Sequence, residues 1–320
     1  VDDGSRDGTR DRLDRWERED ARVRVLVTGG GPGEPRGIVA ALRRAAGAAR
    51  APLLARMDAD DVAAPDRLAE QLRLMDRRRD LAACGTRVRY FGPEGVGSGY
   101  RRYEEWINGC VTPEEIRRDL LVECPLPHPT LVVRRSVYRA LGGYRQTGWP
   151  EDYDLVLRLY RAGMAAGKVP RVLLRWRLHP ESLSRRSPEY TAAAFRRCKA
   201  HFLVAGFLPD DRCPVVWGAG SVGKALGRAL RETGRQPRAW VELDPAKIGQ
   251  EIHGAPVWSP EELFGRWPTP ETPGRRLQDR VLQQPPHVLA AVGSPGARDE
   301  IRQALRDRGW RELRDFRAVA

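Results

Sequence analysis

Four acidic or histidine-bearing segments and one glycine-rich turn hold the residues best suited to chemistry in this chain. Met57-Asp58-Ala59-Asp60-Asp61 puts three carboxylates within four residues. Carboxylates so close repel one another unless something positive sits among them. A hard divalent cation bridging a diphosphate supplies that charge, and carboxylates plus substrate phosphate are the usual surroundings of magnesium or manganese. An Asp-rich turn capping the helix opened by Pro65 explains the same residues without a ligand. Val1-Asp2-Asp3-Gly4-Ser5 has the pattern of a strand end followed by acidic and small residues. Ligands of open α/β sheets bind beyond such ends, where a carboxylate can accept from a nucleobase imide or a ribose hydroxyl; helix capping is the plainer alternative. In Trp149-Pro150-Glu151-Asp152-Tyr153-Asp154 the acidic residues either complement a helix dipole or include a base for an acceptor hydroxyl. His179, following a strand-like run, could ligate metal, touch phosphate or be purely structural. Gly218-Ala219-Gly220-Ser221-Val222-Gly223 is a GxGxxG turn, with Glu242 or Asp244 at the next strand end. Such glycines allow a backbone to approach a pyrophosphate, but they also serve close strand–helix packing.

The elements that must position these groups follow from hydrophobic period. Residues 22–28, 51–57, 81–91, 130–134 and 169–178 read as strands. Residues 37–49, 65–79, 135–141, an amphipathic 150–163 and 187–205 read as helices. Residues 93–127 carry many turn formers and read as irregular. Alternation of this kind predicts an α/β layer with a mixed, mostly parallel sheet. Residues 206–213, with Gly, Pro and Asp, read as a linker. Beyond it a second βα pattern runs through a strand at 214–217, a helix at 221–233, strands at 238–243 and 287–292, and a helix at 297–308. The Pro- and Arg-rich stretch 266–286 is expected to loop out. The predicted domains are therefore 1–205 and a smaller Rossmann-like 214–320.

In order and context these motifs resemble family 2 glycosyltransferases of the GT-A fold, over about residues 1–200. The resemblance rests on the VDDGS segment, the DADD segment with Pro65, Arg67, Leu68 and Gln71 after it, the run from His128 to Arg135, the Gly142–Tyr144 triplet and the Glu151–Leu155 helix start. It implies an inverting, metal-dependent transfer of a sugar from a nucleotide-diphospho-sugar to a hydroxyl of a glycan or lipid-linked acceptor, in polysaccharide or glycoconjugate synthesis. By the same resemblance Asp3 contacts the base, Arg36 the base or phosphates, and Asp58 the ribose. Asp60 holds manganese or magnesium, with Asp61 an alternative ligand. Asp152 is the catalytic base with Glu151 beside it, and His179 assists the metal or the departing diphosphate. Arg36 stands where the family usually has asparagine, and the family's first strand is expected to precede Val1. Residues 93–127 and 144–149 are expected to choose the acceptor. The segments Asp244–Gly249, Gly254–Val257 and Ala291–Pro295 resemble the N-terminal domain of sugar acyltransferases. Gly218, Gly220, Gly223, Glu242 and Asp244 are accordingly candidates for a nucleotide or NAD(P). A nucleotide-sugar oxidoreductase centred on 214–320 is the alternative, but that half offers no recognisable catalytic Tyr/Lys pair or cysteine.

Composition narrows the class further. The chain has 320 residues, is 41% hydrophobic, and carries a formal charge of +13. Only four of its 56 basic residues are lysine, a skew more typical of coding bias than of a binding strategy. Net charge favours anionic partners such as nucleotides or acidic headgroups. Clustered lysines, stacking aromatics and known nucleic-acid modules are missing, so nucleic acid is not an expected partner. No apolar run approaches 18 residues, which argues against a spanning helix. Five scattered cysteines without a CxxC pair read as reduced and buried. The expected setting is cytoplasmic, with peripheral contact to the inner membrane face.

Overall fold

β3 (Leu81–Phe91) is buried along most of its length, as a strand flanked on both sides must be. In the computed structural model, which describes residues 1–29, 33–93, 95–210, 212–271, 284–294 and 296–320, the chain divides into two compact units. The first comprises residues 1–104 and 126–178, the second 105–125 and 179–320.

The first unit holds α1 (Thr9–Glu19), α2 (Ile38–Ala48), β1 (Leu53–Ala55), β2 (Val62–Ala63), α3 (Arg67–Arg77), β3, the start of α4 (Ser98–Gly109), β4 (Val132–Arg134), α6 (Arg135–Ala140), α7 (Glu151–Arg161) and β5 (Ala165–Arg177). Its sheet runs β1-β4-β3-β5-β2. The β3–β5 pair is parallel, whereas β1–β4, β3–β4 and β2–β5 are antiparallel. This sheet is mixed, as expected, but its antiparallel strand pairs outnumber the parallel pairing that was expected to dominate. In the β1–β4 register Ala55 lies opposite Val132. That register brings the chain leaving β1 (Arg56 onward) and the chain entering β4 (His128–Thr130) out at one end of the sheet. Residues 22–28 form no strand; Val27 makes a single bridge to Asp2. A strand needs a partner along its length, and this segment has one at a single residue.

The second unit contains α5 (Pro113–Asp119), α8 (Leu183–Arg186), α9 (Ala192–Phe202), β6 (Pro214–Trp217), α10 (Ser221–Glu232), β7 (Ala239–Val241), β8 (Glu251–Ile252), β9 (Ala255–Trp258), α11 (Pro260–Arg266), β10 (His287–Ala290), α12 (Ala297–Arg306) and β11 (Phe316–Ala318). The sheet order is β11-β10-β6-β7-β9-β8, and only β8–β9 is antiparallel. Its core gathers Val215, Trp217, Val241, Trp258, Leu263 and Phe316. Residues 206–213 lie inside this unit rather than between the two. Part of the 266–286 stretch, Asp211 and Pro295 fall outside the described residues.

Residues 93–127, expected to be irregular, carry α4 and α5. A capping box at Thr112 and Glu115, with Pro113 at the first helical position, starts α5. Buried contacts tie α5 to the end of the chain: Asp119 pairs with Arg302, and Lys199 Nζ donates to the carbonyls of Val122 (2.6 Å) and Val319 (3.1 Å). All five cysteines are free, and four are buried. Among the described residues no helix is long and apolar enough to cross a membrane.

Candidate active site

α3 builds the floor of the site. Buried Arg67 donates to the carbonyls of Pro129 (2.7 Å) and Arg56 (3.1 Å), and buried Gln71 donates to that of Thr130 (2.7 Å). Arg67 and Gln71 lie four residues apart, on one helix face. They clamp the strand end that leads to Asp58 against the turn that carries His128. Gly85 of β3 leaves room for that turn, because a Cβ there would meet Thr130 Oγ1 at 3.0 Å.

The acidic triplet divides into three environments. Asp58 makes a two-pronged pair with Arg56, at 2.5 and 2.7 Å. Burial nevertheless raises the Asp58 pKa, against the pull of Arg56. Asp60 is exposed. Asp61 is turned inward: its Oδ1 accepts from the Arg177 backbone at 2.8 Å, and its Oδ2 is buried without a hydrogen-bond partner. Burial, reinforced by the charges of Asp58 and Asp60, pushes Asp61 up to about 7. Of the two expected metal ligands, Asp60 therefore faces solvent, while Asp61 already supports β5 through one oxygen.

Asp3 and Arg36 meet, though through the backbone. Asp3 accepts from Thr28 Oγ1 (2.5 Å), Arg36 N (3.0 Å) and Gly37 N (2.9 Å). Burial works to raise this carboxyl, but these hydrogen bonds outweigh it and hold its pKa below the usual range. Three of about four lone-pair positions are thereby used within the protein.

A second cluster forms where α7 begins. His128 Nδ1 lies 3.6 Å from Glu151 Oε1 and 3.9 Å from Asp152 Oδ2, and Nε2 lies 2.8 Å from Tyr144 Oη. Asp152 retains about a fifth of its side-chain exposure, whereas His128 and Glu151 are buried. Burial, with the nearby Arg56 charge, holds the His128 pKa well below the ordinary value. Burial raises that of the Tyr144 hydroxyl. His128, Glu151 and Asp152 could together hold a metal ion by distance alone. The neighbouring Arg56 charge disfavours a cation there. Behind them α7, expected to be amphipathic, is buried at nine of eleven positions. Asp154 and Arg158 pair at 2.7 Å, and Arg158 also donates to the carbonyls of Leu141 (2.5 Å) and Gly143 (2.7 Å). Gly142 and Gly143 both have positive φ, 77° and 66°, which a side chain would resist. This turn delivers Tyr144 to His128.

Sequence reasoning missed Arg56 and assigned His128 no role of its own. The period of a strand offered a signal for the first, since residues 56 and 58 fall on one face. His179 belongs to the second unit, where its Nδ1 accepts from Glu181 N at 3.2 Å.

The GxGxxG turn sits between β6 and α10 as expected. A Cβ on Gly223 would lie 1.8 Å from Gly218 O, and one on Gly218 would lie 2.6 Å from Val292. Those two glycines serve packing, while Gly220 faces open space. Glu242 accepts from Ala219 N (3.0 Å) and Lys247 Nζ (3.3 Å), so the acidic residue closes on the turn itself. Asp244 is exposed and also pairs with Lys247, at 3.4 Å.

Residues 1–142 match the family model of glycosyl transferase family 2. The O-antigen biosynthesis glycosyltransferase WbnJ of Escherichia coli is 30% identical over 155 residues, 47% of this chain and 55% of that protein. The amylovoran biosynthesis glycosyltransferase AmsE of Erwinia amylovora is 25% identical over 134 residues, 42% of this chain and 48% of that protein. The chain thus spans about half the length of the curated relatives it matches. Among solved structures, S. aureus TarS 1-349 in complex with UDP-GlcNAc aligns over 74% of this chain and 63% of its own, with 15% identity and a TM-score of 0.47. The mannosyltransferase PcManGT of Pyrobaculum calidifontis, in complex with GDP-Man and Mn2+, aligns over 65% and 52%, with 21% identity and a TM-score of 0.41.

Proposed function

We propose that this chain is an inverting glycosyltransferase of the GT-A type that moves a sugar from a nucleotide-diphospho-sugar to an acceptor hydroxyl. The observation that carries this reading is the family match over residues 1–142, which contain Asp3 and the whole acidic triplet. The names of WbnJ and AmsE support a role in polysaccharide synthesis. The positive net charge suits an anionic donor and a lipid-linked acceptor at an anionic membrane.

The donor set fits a hard divalent cation, magnesium or manganese: both candidate ligands, Asp60 and Asp61, are carboxylates, and one buried Asp61 oxygen lacks a partner. Asp60 would hold it, and the ion would neutralise charge developing on the leaving diphosphate. The chain's own residues do the rest. Asp3 and the backbone it organises at Arg36 and Gly37 face the base. Asp58, steadied by Arg56, accepts from the ribose. Asp152 takes the proton of the acceptor hydroxyl as that oxygen attacks the anomeric carbon. The bond to the diphosphate oxygen breaks on the opposite face, so one displacement inverts the centre.

A donor screen on the full chain tests this, scoring release of free nucleoside diphosphate with manganese, with magnesium and in chelator. Release should require a cation and be lost in Asp60→Ala with the fold intact. Full turnover in excess chelator, or in that variant, refutes the metal assignment.

A further inference from the structure

His128 and Tyr144 come from different segments, the turn before β4 and the loop before α7, and meet only at the start of α7. His128 is buried, with each ring nitrogen facing a different partner. On one side stands the Tyr144 hydroxyl, at 2.8 Å from Nε2. On the other stand two carboxylates, Glu151 and Asp152, with Nδ1 3.6 and 3.9 Å away. Carboxylates accept only, so Nδ1 must carry the proton if it is to interact with either. Nε2 is then the acceptor, and the Tyr144 hydroxyl donates to it. A hydrogen bond on one ring nitrogen sets the tautomer at the other.

We propose that His128, locked by Tyr144 in its Nδ1–H form, is the positioning residue that orients the Glu151–Asp152 carboxylates for proton abstraction. This rests on the transferase reading given above. At 3.6 and 3.9 Å neither contact is yet a hydrogen bond, and the proposal requires a carboxylate to turn toward Nδ1 when substrate binds. Catalytic hydrogen bonds in unliganded sites are commonly long and tighten with substrate. The charged groups around the ring are Glu151, Asp152 and, acting from the end of β1, Arg56; Tyr138 packs on Tyr144 at 5.5 Å between ring centroids. A neutral N–H donor thus stands toward two carboxylates, while the Arg56 guanidinium is held by Asp58. A donor to the ionised base stabilises it, so losing the donor should raise the pH at which the base becomes active.

The test compares His128→Ala, which removes the donor, with His128→Asn, whose amide nitrogen stands near the place of Nδ1. In His128→Ala the acid limb of kcat/KM against pH should move up by about one unit, about a tenfold loss of activity below it. His128→Asn should restore most of that shift. A purely structural role would lower the whole profile without moving the limb, and that result overturns the proposal. Ring 15N spectra of the unmodified chain decide the tautomer without reference to turnover. Nδ1–H at neutral pH, with a resonance that moves in Asp152→Asn, supports the geometry. Nε2–H overturns it, whether or not the variants fold. Failure of every donor to turn over would refute the transferase reading instead, with the ring spectra still deciding the geometry at α7.

Discussion

Asp154→Ala should unfold the first unit at lower temperature, and the size of the loss follows from its surroundings. Asp154 and Arg158 are 3% and 7% exposed, so water cannot replace the lost partner. Removing one member of a buried pair typically destabilises by about 3–5 kcal/mol. Arg158 keeps the carbonyls of Leu141 and Gly143, which draws the estimate toward the lower end. Trp149 Nε1 loses its acceptor at 3.2 Å, which adds about 1 kcal/mol. The expected total is about 4 kcal/mol, a shift of about 8–16 °C for a unit of this size. Calorimetry of the full chain reads it. The double variant Asp154→Ala/Arg158→Met removes both charges and should recover most of the loss. A loss under about 1 kcal/mol, or a double variant as unstable as the sum of the singles, would refute the view that this pair anchors α7.

Asp152→Asn, two residues away, should leave melting almost unchanged and lower transfer about 10²- to 10⁴-fold with donor binding intact; isothermal titration showing lost donor affinity would make it a binding residue. Gly220→Ala should be tolerated within about 0.5 kcal/mol, because a Cβ there meets nothing. Gly223→Ala should destabilise by at least about 1–3 kcal/mol, because its Cβ would strike Gly218 O; equal melting of the two variants contradicts the packing role. The second unit should be acid-sensitive through Asp119. Burial works to raise this carboxyl, but Arg118 and Arg302 outweigh it and hold its pKa below 3.8. The stabilisation is therefore present above pH 3.8 and lost as pH falls through the lower folded value. Acid titration followed by the emission of buried Trp217, Trp240 and Trp310 should show a dependence that Asp119→Asn reduces, the remainder coming from groups such as Asp315, where burial works upward but the arginine partners also hold the carboxyl low.

Much of the framework was legible because local period and capping fixed it. The strand at 81–91 runs over the span its apolar residues predicted, and the GxGxxG turn lies between strand and helix as its glycines require. The acidic triplet follows β1 as expected. Other features depend on partners far along the chain. Residues 22–28 have strand composition but pair at one residue only. α5 announced itself through its capping box, which the surrounding turn formers obscured. Residues 105–125 belong to the second unit, to which Asp119 is tied by Arg302 and Val122 by Lys199, pairings no local pattern encodes. His128 was visible as part of a motif, but its purpose depends on Tyr144 and α7 converging on it.

That distant pairing also sets an order of events during synthesis. Everything the first unit needs has been made by residue 178. Asp119, by contrast, waits 183 residues for Arg302. At about 5–20 residues per second this is about 10–40 s. Throughout that interval Ile116, Leu120 and Leu121, all buried in the finished fold, have no completed core to enter. A ribosome stalled shortly before codon 302 would therefore hold out a finished first unit and a sticky, half-made second one. That window, more than the final stability of either unit, is where chaperones or lower growth temperature should raise the yield of intact protein.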